Sequence, residues 1–191
     1  MERKKQKIFA VIGGLCIIAG PVYDLINLIF MVAKYSSSWP YFAFERELQI
    51  AGIIDSISVI GLIVTGIGCI IQKPPVYISG CGIVILYKIY VMVGKSAVNF
   101  FLFLELGVYI FLSVIAVLYI TEKGKKIVQK IWFVPAVLIT VNQISRWGSY
   151  TVRKPIPGGV WITLLFDIIF IAGYILIGLS LKQFHKNAAC A

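Results

Sequence analysis

Histidine is nearly missing from this chain, with His185 the single instance in 191 residues. The four cysteines, Cys16, Cys69, Cys81 and Cys190, never stand in CxxC spacing, and the first three lie inside apolar runs. A zinc site or a dithiol pair needs more ligands at closer spacing, so neither a metal nor a redox centre is expected. In apolar runs cysteine serves as a small hydrophobe. There is no HExxH, no GxSxG-like nucleophile with a histidine beside it, and no glycine-rich phosphate loop. Without those constellations no enzyme and no cofactor is expected. Acidic residues are also scarce, eight against eighteen Lys and Arg. No basic patch carries the interleaved aromatics that nucleic-acid binding uses, so the formal charge of +10 does not imply a nucleic-acid partner.

What the chain has in excess is apolar sequence. It is 60% hydrophobic with a mean hydropathy of +0.93, where soluble domains use about 45–50% apolar residues. The solvent for such a surface is the lipid bilayer. A spanning helix needs about 20 apolar residues. Runs near that length occur at 8–33, 48–71, 76–93, 98–120, 127–147 and 159–181. The fold expected is all-α: a polytopic membrane protein made of one six-helix transmembrane domain. The first run follows the basic Met1–Lys7 segment, is longer than a signal-peptide core and lacks a small-residue cleavage site, so it reads as a retained span. Pro21 and Pro135 lie within spans, where a kink is tolerated.

The basic residues write the topology. Eleven Lys and Arg fall in the amino terminus, at Lys73, between Thr121 and Lys130, and in the tail. Six fall on the other side: Lys34, Arg46, Lys95, Arg146, Arg153 and Lys154. The excess marks the cytoplasmic side, so both termini are expected in the cytoplasm of a plasma-membrane protein. The outer linker Lys34–Glu47 mixes Trp39, Tyr41, Phe42 and Phe44 with charge, the composition of an interfacial belt.

Charges inside the runs are the informative residues, because a charge in a span is costly and faces a partner, a cavity or water. Counting 1.5 Å per residue from the membrane edge places Asp24, Asp55, Lys88, Glu105 and Asp167 at about one depth in the outer half, with Arg146 nearer the surface. Tyr23, Tyr87, Tyr90, Tyr109, Asn142, Gln143, Trp147 and Tyr174 are expected to line this polar layer. Lys88 with Glu105, and Arg146 with Asp167, can neutralise one another within their hairpins. The first hairpin offers only Asp24 and Asp55, two carboxylates that would share a proton or hold a cation. Surplus negative charge among aromatic rings suits a small cationic or amine ligand. The alternative is that these groups pair and pack, fixing only helix register.

Small residues recur where helices could approach closely: Ala10 and Gly14, Gly61 and Thr65, Gly80 and Gly82. Asp55, Gly61 and Gly66 repeat the spacing of Asp167, Gly173 and Gly178, a weak sign of internal duplication. The segment Arg153-Lys154-Pro155-Ile156-Pro157 resembles a stretch of the accessory-gene-regulator peptide-processing proteases. Their histidine and cysteine belong in an earlier loop that here has neither, so protease activity is not expected. In size and topology the chain is similar to the substrate-binding subunits of energy-coupling-factor uptake systems. The function expected is a transporter, or a transporter's capture subunit with a membrane partner. The rival is a non-transporting interaction protein for immunity, assembly or signalling.

Overall fold

The computed structural model describes residues 2–36, 43–94, 100–151 and 160–188. The linkers at 37–42, 95–99 and 152–159, with the aromatic belt and the Arg153–Pro157 segment, lie outside the described residues, as do the side chains of Asp55 and Arg146.

Within the described residues the chain is all α-helical: α1 (Glu2–Ser36), α2 (Ala43–Ile70), α3 (Pro74–Gly94), α4 (Phe100–Leu118), α5 (Glu122–Lys130), α6 (Val134–Thr151) and α7 (Val160–Ala188). A helix satisfies its own backbone, the requirement lipid imposes. Three stretches are long and apolar enough to cross a membrane: Lys4–Phe30, Pro74–Gly94 and Trp161–Leu181. The bent pair α5 and α6 makes a fourth if counted as one span. Shorter apolar stretches cover Ser56–Ile70 and Leu102–Leu118. Large apolar side chains such as Phe30, Leu86, Phe111 and Ile168 face outward.

The helices close a ring. α1 packs against α2 and α7, α2 against α3, α3 against α4, α4 against α6, and α6 against α7, while α5 lies across α4 and α7. Ile17, Val84, Leu112 and Ile139 are fully enclosed at the centre, in one cluster with Cys69, Cys81, Phe170 and Tyr174.

Three reciprocal glycine contacts hold half of the ring. A methyl group added at Gly13 would stand 2.8 Å from the Gly173 carbonyl oxygen, and one at Gly173 would stand 2.8 Å from that of Gly13. Gly14 and Gly66 join α1 to α2 in the same way, and Gly61 and Gly80 join α2 to α3. Close backbone approach supplies dispersion and carbonyl contacts where lipid gives no hydrophobic drive between helices. Beside the last pair the buried Thr65 hydroxyl donates to the Gly61 carbonyl at 2.9 Å and lies 3.9 Å from the Cys81 sulfur. The Asp-Gly-Gly repeat does not carry equivalent contacts: Gly61 meets α3, whereas its counterpart Gly173 meets α1.

Turns set the helix ends. Gln72 takes a left-handed φ of 55°, with Lys73 N–H donating to Gly68 at 3.0 Å and Gln72 N–H to Cys69 at 3.2 Å. This is a Schellman cap with glutamine at the position glycine usually holds, followed by Pro74. Thr121 caps α5 by accepting from the Gly124 N–H at 3.1 Å.

Five of the expected runs fall on single helices, and the fifth does not. Ile127 to Lys130 belongs to α5, and helix resumes at Val134 after a bend of 52°. Pro135 therefore stands in the first turn of α6, just past the bend, where its missing N–H has no partner to lose. α5 buries Val128 and Gln129 while Lys123, Lys126 and Lys130 stay exposed.

Candidate functional site

Two of the expected site residues form an ion pair. The Lys88 ammonium donates to the Glu105 carboxylate between α3 and α4, with side chains 18% and 12% exposed. Nearly withdrawn from water, each charge depends on the other. Lys88 also stands 5.8 Å from the centroid of the neighbouring Tyr87 ring.

A second group gathers between α1, α4, α6 and α7. Asp24 and Tyr23 from α1, Tyr109 from α4, Gln143 from α6, and Asp167 with Thr163 from α7 line a hollow of about 90 Å³. The Tyr23 ring stacks on Phe166 with centroids 4.7 Å apart, fixing one wall. The Trp147 indole N–H donates to an Asp167 carboxylate oxygen at 2.7 Å, fixing the other. Tyr109 and Gln143 are buried, Asp167 is half-buried and Asp24 is exposed. Glu105 precedes Tyr109 by one helical turn on α4, so the ion pair adjoins this hollow.

The layer expected from the sequence is thus partly assembled. The two described carboxylates of the hollow come from α1 and α7, which the ring makes neighbours, and not from the first hairpin. The expected pairings of Asp55 and of Arg146 rest on side chains outside the described residues. Tyr90 is half exposed on the outer surface of α3. Asn142 is buried beside Gln143, and its Oδ1 has no hydrogen-bond partner.

Tyr174 belongs elsewhere. It lines a separate cavity of about 520 Å³ at the end of the ring that carries the amino terminus. Gln6, Gln72 and Lys125 stand at that end of their helices, and Leu112, Ala116 and Ile177 lie deeper. In helix register Ile17 and Ile139, neither with any exposed surface, lie between this cavity and the outer hollow. Sequence reading missed the cavity because its wall comes from helix ends, where apolar runs give way to polar residues and no periodicity marks a face. The alternation of buried and lysine positions in α5 was the one available signal.

Among the described residues no three His, Cys, Asp or Glu side chains converge as metal ligands. No protein-family model, curated protein or solved structure matches this chain.

Proposed function

We propose that this chain is a six-span plasma-membrane protein, both termini cytoplasmic, that binds a small cation or amine in the outer hollow, as a transporter or as the capture subunit of one. The observation that carries the reading is the convergence of Asp24 and Asp167, from the first and last helices, on one hollow walled by Tyr23 and Tyr109. Carboxylates draw a cation by charge and tyrosine faces add a quadrupole attraction. Lys88 and Glu105 pair within their own hairpin.

Size narrows the ligand. About 90 Å³ is the share of on the order of three waters in the liquid. A monovalent cation with part of its water, or the ammonium head of a small amine, fits; a nucleotide or sugar does not. What supports a transport role is that the hollow lies between helices, lined from α1, α2, α4, α6 and α7, on the side that the basic-residue count assigns to the exterior. The reading is one of binding and movement, without catalysis.

The test is a thermal-shift and uptake series with methylammonium, choline, sodium and potassium, using wild-type protein and Asp167→Asn in proteoliposomes. One cation should stabilise the wild type, and Asp167→Asn should lose that stabilisation at least tenfold in concentration. Equal responses of both proteins to every cation would remove the hollow as the site.

A further inference from the structure

The larger cavity has a layered wall. In helix register Tyr174 and Leu112 form its floor, Ala10, Cys69, Tyr77, Ile115, Ala116 and Ile177 its waist, and Gln6, Gln72, Lys125 and Ser180 its rim. Tyr174 is 1% exposed, and its hydroxyl has no hydrogen-bond partner. The Tyr77 hydroxyl stands close enough to interact with it but short of full hydrogen-bond geometry. A buried hydroxyl without a partner carries a desolvation penalty. A ligand acceptor reaching the floor would remove that penalty. Lysines gather at the rim: Lys125 lines the cavity, and Lys4, Lys5, Lys7, Lys73 and Lys126 are exposed on the same end of the bundle.

We propose that this cavity binds an amphipathic monocarboxylate: an apolar body across the waist, a neutral carbonyl accepting from the Tyr174 hydroxyl at the floor, and a carboxylate at the Lys125 rim. The volume of about 520 Å³ lies in the range of small-molecule sites, roughly 300–1,000 Å³. Length follows from α7, on which Tyr174 at the floor and Ser180 at the rim are six residues apart, about 9 Å along the axis. That span separates the ligand's acceptor from its anion. The waist is apolar all round, so a second charge on the body would be desolvated without a partner. This site is distinct from the outer hollow and stands whether or not the hollow takes a cation.

The experiment uses three probes of one length: 9-oxodecanoate, which has both ends; decanoate, which lacks the ketone; and decan-2-one, which lacks the carboxylate. Binding is measured by titration calorimetry on the full chain in phosphatidylcholine nanodiscs, with empty nanodiscs subtracting partition into lipid. The wild type should prefer 9-oxodecanoate to decanoate by about fivefold, the size of one hydrogen bond. Tyr174→Phe should erase that preference while leaving decanoate unchanged. Lys125→Gln should weaken both acids and leave decan-2-one unchanged. Ala116→Trp, which fills the waist, should abolish all three. Several results would overturn the proposal: no saturable binding to the wild type at millimolar probe, a ketone preference that survives Tyr174→Phe, or equal binding of the three probes that Ala116→Trp does not alter.

Discussion

Trp147 donates its indole N–H to Asp167 at 2.7 Å, tying α6 to α7 at the wall of the outer hollow. The indole donor thus holds the Asp167 carboxylate in place at the hollow's edge. Trp147→Phe removes the donor and keeps an aromatic ring, a smaller one. It should lower stability by about 1.5–3 kcal/mol, the value of a hydrogen bond to a charged group. A melting curve in detergent measures this, and Asp167→Asn in the same background should then cost little more.

Lys88 and Glu105 give the sharpest stability prediction. Either Lys88→Met or Glu105→Gln alone removes one half of the pair, at a cost of about 3–5 kcal/mol by analogy with buried pairs in soluble proteins. The double variant should cost clearly less than the two singles together. Strict additivity across the cycle would mean the two residues do not interact.

Two glycines two residues apart should behave oppositely. A methyl at Gly80 would stand 2.4 Å from the Thr65 backbone nitrogen, whereas one at Gly82 meets nothing within 4 Å. Gly80→Ala should destabilise by about 1–3 kcal/mol as an overpacked contact. Gly82→Ala should be neutral or gain up to about 1 kcal/mol of helix propensity. Thermal exposure of the buried thiols Cys69 and Cys81 to a maleimide dye provides the readout.

Gln72 holds a backbone conformation that suits glycine, at φ 55°. Gln72→Gly should raise stability by about 1 kcal/mol by relieving the left-handed strain. An unchanged melting temperature would show that the glutamine side chain compensates at the cavity rim.

Topology has a direct check. A cysteine introduced at Ser37 should react with an impermeant maleimide on intact cells, and Cys190 should not. The reverse pattern would invert the assignment of the hollow to the exterior.

The Lys88–Glu105 pair was legible in the sequence because a short turn joins two apolar runs with one charge at the middle of each. A hairpin of that length brings the two midpoints level. All-helical structure was legible for the same reason, since each apolar run is too long for anything but a helix in lipid. The grouping of Asp24 with Asp167 was not legible, because it depends on α7 returning to α1, and 143 residues of sequence carry no record of that closure. Tyr174 was expected in the outer layer and lines the other cavity instead; α7 is apolar nearly all round, so no period marked which neighbours its inner face meets. The break between α5 and α6 escaped because Pro135 reads equally as a tolerated kink and as a helix start.

The Gly13–Gly173 contact has a consequence for the order in which the protein is made. α1 leaves the ribosome well before its most extensive neighbour, α7. At roughly 5–20 residues per second, about 10 to 30 s separate the synthesis of the two glycines. During that interval α1 can pair with α2 through Gly14 and Gly66, but the face bearing Gly13 meets only lipid or an insertion factor. The sequential pairings α1 to α2, α2 to α3 and α3 to α4 form as the chain emerges, and the enclosure itself, with both of its cavities, comes into being only when α7 is inserted. A ribosome stalled before Val160 would therefore leave an open crescent whose glycine-lined edge is exposed in the bilayer.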